Sequence, residues 1–342
     1  MQLLSWIIFP VVCLMLITCP SHESLKENTD SKAFKQLITQ AESYVKEETT
    51  PPDAYLQKFD QDENVQLLKA ALNQIGYDLE LSDFYDEELT WAVTDFQIQS
   101  ENASISGIYD EATKEELLSY FKEDKNIEPG EGLAHPPEEP EVTEAGTEVV
   151  GNPYDELALV NKSFALPEDY IPEDLMVPDV PFPFTEDLPK KYMRENAAHA
   201  LEDLFDAAED AGLELFAQSG YRSYDRQVEV FSANASQHGE DYANTFSARP
   251  GESEHQTGLA MDVTSAEVNL ELVTEFGETE EGKWLAENAP EFGFIIRFPE
   301  GKEDITGYQY EPWHVRYVGE KTAKYVTEKG ITFEEYIEQF DK

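Results

Sequence analysis

A histidine and an aspartate stand seven residues apart in ARPGESEHQTGLAMDV, residues 248–263. From Leu259 onward, apolar residues alternate with small or polar ones, which predicts a strand with one buried face. Asp262 lies on the other face, and Gly258 permits a turn that brings His255 back over the strand. An imidazole and a carboxylate arranged in this way supply two metal ligands. A catalytic zinc site usually takes three protein ligands and keeps one position open.

The best candidate for the third ligand is His314, in YEPWHVRY. The remaining histidines fall near the N-terminus, in a Pro-rich segment, in an alanine-rich helix and in a polar loop: His22, His135, His199 and His238. Taken alone, a histidine among aromatic and β-branched residues is more often a packing residue, but its pairing with His255 and Asp262 favours a ligand. Glu311 precedes it by three residues, so both side chains reach one site only if the strand bends, for which Pro312 is suited.

Residues 155–342 have the pattern of an α+β domain. An amphipathic helix is predicted over residues 195–212, and a strand is predicted just before SGYRS. A second helix ends before Pro290, and FIIRF and the segment around His314 follow as strands. Because strands and helices do not alternate regularly, we expect a central antiparallel sheet flanked by helices and not a parallel βαβ series.

A small domain of three short helices is predicted over residues 60–122. NVQLLKAALNQIGYDLE has apolar residues at helical spacing, EELTWAVTDFQIQS repeats the pattern, and SGIYDEATKEELLSYF adds a third helix. This order resembles the peptidoglycan-binding-like domain found beside cell-wall hydrolases, and the matching residues are Phe96, Gln97, Gly107, Asp110 and Thr113. The alternative is a helical spacer that does not bind the wall, because DLELSDFYDEEL lacks the glycines usual there.

The rest of the chain is predicted to comprise an export segment, a polar region and a linker. Residues 1–19 are apolar almost without break, which indicates an export signal or an uncleaved anchor. LITC resembles a bacterial lipoprotein box with Cys19 as the lipidated residue, although Thr18 is unusual there and no Lys or Arg precedes the apolar stretch. Residues 20–59 are polar, and residues 123–154, rich in Pro and Glu, are predicted to form an acidic linker.

Composition narrows the classes of partner. The chain has 342 residues, of which 40% are hydrophobic and 12% aromatic, enough for two folded domains. Its 72 acidic and 24 basic residues give a formal net charge of -48, which repels nucleic acid and anionic lipid. We therefore expect no nucleic-acid partner and membrane contact only through the N-terminal anchor. Separately, the protein is expected to be a monomer. Cys13 and Cys19 both precede the predicted domains, so those domains have no disulfide or thiolate metal site.

Four separated blocks of the sequence resemble the VanY-type D-alanyl-D-alanine carboxypeptidases, and they stand in that family's order. They are ALVNKSFALPEDYIPEDL, SGYRSYDRQ, ARPGESEHQTGLAMDV and GFIIRFPEGKEDITGYQYEPWHVRYVG. These enzymes are zinc peptidases of the LAS superfamily, which includes the D-Ala-D-Ala dipeptidases and the N-terminal domain of Hedgehog. The resemblance covers residues 155–325, and it implies one Zn²⁺ in a catalytic domain over residues 155–342.

The resemblance also implies a role for each site residue. It makes His255, Asp262 and His314 the zinc ligands and Glu311 the catalytic base. It makes Arg222 the cation that steadies the reacting carbonyl, and it places Ser253, Gln227 and Tyr221 near the substrate. The bound zinc lowers the pKa of water and polarises the scissile carbonyl, and the base takes the proton of the attacking water.

The implied function is removal of the terminal D-Ala from peptidoglycan stem peptides. We expect the protein to act outside the cell, at the cell surface or in the wall, with a lipid anchor if Cys19 is modified. An L,D-carboxypeptidase or an endopeptidase acting on the same stems stays an alternative, because the ligand set does not separate these reactions. A non-catalytic wall-binding protein is the weaker alternative, because it has little reason to keep three ligands and the base together.

Overall fold

The computed structural model of the protein describes residues 50–137 and 139–340, in two compact units. The first unit comprises the described residues up to Ala103 together with Gly107–Ala134, and the second comprises Ser104–Ser106 and the described residues from His135 onward. The predicted export segment with Cys19, and most of the predicted polar region, lie outside the described residues. No helix within the described ranges is long and apolar enough to cross a membrane.

The secondary structure follows the predicted order of elements. The helices are α1 Glu63–Ile75, α2 Glu87–Ile98, α3 Glu111–Glu123, α4 Glu195–Asp210, α5 Tyr224–His238, α6 Glu240–Ala243, α7 Glu280–Asn288, α8 Glu303–Thr306, α9 Glu320–Lys329 and α10 Phe333–Glu338. The strands are β1 Glu148–Val149, β2 Phe164–Ala165, β3 Leu175–Met176, β4 Met193–Arg194, β5 Phe216–Ser219, β6 Ala260–Thr264, β7 Phe294–Phe298 and β8 Glu311–Tyr317. Short 3₁₀ turns cover Pro189–Lys191, Glu254–Thr257, Ala266–Val268, Thr274–Glu278 and Ala289–Phe292.

The first unit is built on α1, α2 and α3, which confirms the prediction of three N-terminal helices. Each helix begins after an aspartate whose carboxylate accepts a backbone N–H of the first turn: Asp62, Asp86 and Asp110. This cap satisfies one of the free N–H groups and places negative charge at the positive end of the helix dipole. The apolar residues at helical spacing form one core, which includes Val65, Leu68, Leu72, Ile75, Leu89, Val93 and Phe96.

The residues that carry the resemblance of this unit to a wall-binding domain hold the turn between α2 and α3. The buried Gln97 amide donates to the Ile108 carbonyl at 2.7 Å and to the Thr113 hydroxyl at 2.9 Å, and its oxygen accepts the Gly107 N–H at 2.9 Å. Thr113 N–H in turn donates to the Asp110 carboxylate at 2.8 Å. In this structure these residues stabilise the fold of the unit.

The predicted linker is partly packed on the helical unit. The buried carboxylate of Asp95 accepts the backbone N–H groups of Gly130, Gly132 and Leu133 at 3.1, 2.9 and 2.8 Å. It also accepts the Tyr77 hydroxyl at 2.8 Å. The boundary between the two units falls just after this stretch, inside the segment predicted as a linker.

The second unit contains the predicted antiparallel sheet, in the strand order β5-β6-β8-β7. The apolar face of β6, with Leu259 just before it and Met261 and Val263 within it, packs in the same core as the buried face of α4. This is the expected alternation along the strand, although the other face, with Ala260, Asp262 and Thr264, is buried as well. The α+β architecture with helices against a central sheet is therefore confirmed.

Strand β8 bends where the sequence predicted a bend. Val315 pairs with Ile296 and Glu311 pairs with Phe298, so four steps along β8 correspond to two along β7. The extra residues form a β-bulge that includes Pro312, which has no backbone N–H to contribute to a ladder. This irregularity removes the strict alternation that would send the two functional side chains of this strand to opposite faces.

Candidate active site

His255, Asp262 and His314 come together as a buried group. One potential ligand atom from each residue lies within 4.8 Å of the others. Asp262 of β6 is paired directly with His314 of β8, so the sheet register itself places these two side chains side by side. His255 arrives from the 3₁₀ turn before β6, which ends at Gly258 with a φ of 72°. A Cβ at Gly258 would lie 2.9 Å from the Cγ of Arg194, so this turn requires glycine.

The two histidines present different nitrogens to the common centre. His314 Nδ1 lies 2.9 Å from one Asp262 oxygen, and His255 Nε2 lies 3.5 Å from the other. The second nitrogen of His255, Nδ1, donates to the Gly220 carbonyl at 2.8 Å, which leaves the Nε2 lone pair facing the centre. The second nitrogen of His314, Nε2, faces a carboxylate oxygen of Glu254 at 3.4 Å.

The pKa values of the three residues respond to burial and to one another. Burial lowers the pKa of His255 to about 3, so this ring is a neutral ligand at physiological pH. Burial also opposes charge on His314, but its hydrogen bonds with Asp262 and Glu254 outweigh burial and raise its pKa to about 9. Burial disfavours the charged form of Asp262 as well, yet the neighbouring histidines hold the pKa of this carboxyl below its usual value.

The group lies at a pocket of about 230 Å³ whose lining also includes Glu311, Arg222 and Ser253. Glu311 is half-buried, and burial raises its pKa to about 7, with His314 acting in the opposite direction. A carboxyl with this pKa changes protonation state near neutral pH, as a general base requires. Within the described residues, the side chains placed closely enough to hold a metal ion together are those of His255, Asp262 and His314.

Arg222 is held in the pocket wall by neighbouring side chains. Its guanidinium donates to the Gln227 side-chain oxygen at 2.9 Å and lies 3.5 Å from the Ser219 hydroxyl. Gln227, in turn, is fixed by a hydrogen bond from its amide nitrogen to the Ala248 carbonyl at 2.5 Å. Burial lowers the pKa of Arg222, with the Asp262 carboxylate opposing this shift. The structure therefore places a fixed cation beside the candidate metal centre.

The structure brings six of the eight predicted site residues to the pocket: His255, Asp262, His314, Glu311, Arg222 and Ser253. The lining found among the described residues does not include Gln227 or Tyr221. Gln227 contacts the site through Arg222, and the buried Tyr221 hydroxyl has no hydrogen-bond partner in the described part of the chain. The assignment of a role to each residue stays a prediction.

The other histidines for which the structure gives contacts are not among the residues that line this pocket. His199 sits on the exposed face of α4 and contacts the Glu202 carboxylate at 2.9 Å. His238 ends α5 and packs against the rings of Tyr242 and Phe246. His135 is exposed, and His22 lies outside the described residues.

Sequence reasoning did not single out the buried charge network behind His314. Arg297 of β7 and Arg316 of β8 are fully buried, and both donate to the carboxylate of Glu254, at 2.7 and 2.9 Å. Burial alone would raise the pKa of Glu254, but the two arginines hold it well below its usual range. The sequence does contain a sign of this network: each of the apolar strands FIIRF and HVRYV includes an arginine. A buried arginine needs a buried partner.

Comparison with known proteins shows which family the chain resembles. Residues 190–320 match the VanY family, described as D-alanyl-D-alanine carboxypeptidase, and residues 61–117 match a family described as "Putative peptidoglycan binding domain". The "Putative carboxypeptidase YodJ" of Bacillus subtilis (strain 168) is 54% identical over 197 residues, which span 58% of this chain and 72% of that protein. The chain belongs to the VanY carboxypeptidase family.

Two further relatives of this VanY carboxypeptidase differ in the bond that their names specify. The D-alanyl-D-alanine carboxypeptidase of Enterococcus faecium is 38% identical over 148 residues, covering 43% of this chain and 44% of that protein. The solved structure of the LdcB LD-carboxypeptidase is 53% identical with a TM-score of 0.57, and the match covers 58% of this chain and 93% of that one. Family membership therefore establishes a carboxypeptidase without selecting between the two reactions.

The donor set of this VanY domain fits a zinc ion. Two imidazole nitrogens and a carboxylate oxygen converge from His255, His314 and Asp262, and they face a pocket that leaves room for a further ligand. Three such ligands with one open position are the arrangement of catalytic zinc sites. The hydrogen bond from His255 to the Gly220 carbonyl fixes the ring, as ligand histidines usually require.

Proposed function

We propose that this protein is a zinc-dependent carboxypeptidase that releases a C-terminal D-alanine from peptidoglycan stem peptides. The observation that carries the proposal is the convergence of His255, Asp262 and His314 with Glu311 and Arg222 on one pocket. When bound, zinc supplies a Lewis acid that polarises a carbonyl and lowers the pKa of water. The family membership and the named activities of its relatives support the same class of reaction.

Glu311 is the general base in this proposal. Its carboxylate accepts a proton from the attacking water and returns that proton to the amine of the departing D-alanine. The bulge in β8 lets Glu311 and His314 both reach the pocket, and burial raises the pKa of Glu311 to about 7. A pKa in this range lets one side chain accept and then return a proton near neutral pH.

Arg222 stabilises the negative charge that develops on the carbonyl oxygen of the substrate. Its hydrogen bond to Gln227 fixes the guanidinium before substrate arrives, so little reorganisation is needed during the reaction. Removing a fixed group of this kind typically costs a factor of about 100 to 1,000 in rate. Gln227 thus acts through Arg222, whereas Ser253 lines the pocket itself.

The choice of bond within the stem peptide separates two forms of the proposal. The sequence resemblance predicts D,D cleavage, which removes the last residue of a stem ending in D-Ala-D-Ala. The likeness to the LdcB LD-carboxypeptidase, at 53% identity over 93% of that chain, favours L,D cleavage, which removes the D-alanine that follows the L-diamino acid. We favour the L,D form because the E. faecium enzyme is only 38% identical.

Two synthetic stem peptides test both the carboxypeptidase activity and the choice between L,D and D,D cleavage. The zinc-loaded full chain is incubated with a tetrapeptide stem ending in L-Lys-D-Ala and with a pentapeptide stem ending in D-Ala-D-Ala, and the products are identified by mass. We expect release of one D-alanine from the tetrapeptide, loss of activity with a chelator, and recovery with zinc. Release from the pentapeptide alone would establish the D,D form in its place.

Other products would contradict the proposal. Cleavage inside the stem would identify an endopeptidase. No cleavage of either peptide by the zinc-loaded protein would refute the proposed release of a C-terminal D-alanine from these stems. The variant Glu311→Gln serves as the low-activity control, because it lacks the proposed general base. The variant Glu328→Gln, which changes an exposed carboxylate of α9, controls for the loss of one negative charge.

We also propose that the protein acts outside the cytoplasmic membrane. The support is the apolar run of residues 1–19, which precedes the first described residue, and the peptidoglycan substrate proposed above. If Cys19 is lipidated, the protein should fractionate with membranes, and Cys19→Ser should move it to the soluble fraction. Mass analysis of the mature N-terminus checks the same point, and a terminus other than Cys19 with unchanged fractionation would refute lipidation.

A further inference from the structure

The two carboxylate oxygens of Glu254 contact different groups. Oε1 accepts from Arg297 Nε at 2.7 Å and from Arg316 Nη1 at 2.9 Å. Oε2 faces Nε2 of His314 at 3.4 Å. The residue is only 3% exposed, so its hydrogen bonds are sheltered from competing water. Glu254 therefore links a buried arginine pair to the outer nitrogen of a proposed metal ligand.

The ring of His314 is fixed from several sides. Its Nδ1 lies 2.9 Å from Asp262, the ring of His255 stands at 88° to it with centroids 4.9 Å apart, and the ring of Phe298 lies against it at 5.1 Å. Because the imidazole cannot turn freely between these neighbours, Nε2 has Glu254 Oε2 as its close polar partner in the described structure. The orientation of the ring is thus set, and its tautomer depends on what faces Nε2.

A neutral imidazole carries one N–H, and only the other nitrogen can bind a metal ion. A carboxylate oxygen at Nε2 can only accept, so it favours the tautomer with Nε2–H and a free lone pair on Nδ1. We propose that Glu254 is a positioning residue for His314: its Oε2 accepts the Nε2–H hydrogen bond and thereby holds Nδ1 ready for the zinc ion. This inference rests on the proposed function, because it assumes that His314 is a zinc ligand.

The arginines determine which oxygen is left for His314. Arg297 is anchored on its far side by two hydrogen bonds to the Glu334 carboxylate, at 2.9 and 2.6 Å. Arg316 is anchored by the carbonyls of Glu156 and Ala158, each at 3.0 Å. Because both guanidinium groups are held in place, Glu254 cannot turn away from them, and Oε2 stays directed at the histidine.

The test compares Glu254→Gln with Glu334→Gln in the full chain. Both substitutions remove one buried carboxylate charge from Arg297, but only Glu254 contacts His314. In Glu254→Gln the two arginines compete for the single amide oxygen, which directs the amide NH₂ toward Nε2. That donor favours the tautomer with a proton on Nδ1, which cannot bind zinc.

The readout is the zinc dissociation constant, measured by competition with a chelator. We expect Glu254→Gln to raise this constant by about 10- to 100-fold, the usual effect of losing the hydrogen-bond partner of a ligand histidine. Glu334→Gln should change it by less than about 3-fold. A Glu254→Gln constant within 3-fold of the wild type, or an equal loss in both variants, would overturn the inference and assign the network to stability alone.

A second measurement does not depend on how well the variants fold. Nitrogen-15 NMR of histidine-labelled, zinc-loaded wild-type protein reports which nitrogen of each ring is protonated, and through-bond correlation of each ring with its own backbone assigns the His314 signals. We expect a protonated Nε2 and an unprotonated Nδ1 for His314, and the reverse assignment refutes the role of Glu254. Wild-type protein that binds no zinc would contradict the proposed function and this inference together, whereas an unchanged zinc constant in Glu254→Gln contradicts only the inference.

Discussion

Replacing Glu311 with glutamine should abolish turnover while making the metal-free protein more stable. As the proposed base, Glu311 supplies general acid–base help, and its loss should lower kcat by at least about 100-fold, equivalent to about 2.7 kcal/mol of barrier. Zinc binding should be unchanged, because His255, Asp262 and His314 form the metal-binding group. If Glu311 were instead a fourth ligand, zinc affinity and rate would fall together.

The gain in stability follows from the raised pKa of Glu311. Burial raises its pKa from 4.5 to about 7 in the folded protein, so the folded state holds a proton that the unfolded state has lost between these pH values. The side chain therefore destabilises the fold as pH rises through this window, by up to about 3 kcal/mol above pH 7. Glutamine carries no charge, so Glu311→Gln avoids this cost at high pH, and the difference disappears below about pH 4.

Stability, zinc binding and activity are all measured on one preparation of each protein. Urea unfolding of the metal-free wild type and Glu311→Gln at pH 4 and pH 8 gives the free energy of unfolding, and zinc titration and peptide hydrolysis are run on the same samples. The exposed variant Glu328→Gln corrects for the loss of one charge from so acidic a chain. A Glu311→Gln protein that is less stable than wild type at pH 8, that binds zinc weakly, or that retains near-normal kcat would refute the reasoning.

Three further sets of substitutions test other parts of the structure. His314→Ala should remove most of the bound zinc measured by elemental analysis, while His238→Ala, which changes a histidine outside the pocket lining, should keep the metal. Arg222→Ala should lower kcat by about 100-fold, and Gln227→Ala should lower it less, because it only frees the guanidinium; equal zinc content in both checks that the metal site is intact. Asp95→Ala should lower the free energy of unfolding of the helical unit by about 3 kcal/mol in urea melts, since three backbone N–H groups lose their acceptor; a change below about 1 kcal/mol would contradict this role.

Local patterns in the sequence were sufficient for α1 to α4, for the strands of the central sheet and for the pairing of His255 with Asp262. They did not predict α5, whose last residue, His238, was expected in a polar loop, and the full ligand set with His314 came from the family resemblance. Apolar residues at helical spacing predicted α1 to α4, and alternation around Met261 predicted β6 with Asp262 on the polar face. The proline in YEPWHVRY predicted the bend that β8 makes between Glu311 and His314. Each of these features depends on residues near one another in the chain, so sequence reasoning could reach them.

The partners of these residues depend on contacts that are distant in sequence. The acceptor for His255 is the carbonyl of Gly220, 35 residues away, and a backbone carbonyl leaves no mark in the amino-acid sequence. Glu254 and Arg316 are 62 residues apart, and they meet only because the turn before β6 folds over β8. Gln227 was predicted near the substrate, whereas the structure gives it a supporting contact with Arg222, a distinction that sequence spacing does not contain.

The register of two strands couples the proposed metal centre to the buried charges behind it. In the pairing of β6 with β8, Asp262 stands opposite His314, and two residues along each strand Ala260 stands opposite Arg316. Residues two apart on a strand share a face, so the ligand pair and the arginine that contacts Glu254 project from the same side of the sheet. A slip of one residue would turn both sets of side chains to the other face. The pairing that places Asp262 beside His314 therefore also places Arg316, which contacts Glu254, on the same side of the sheet.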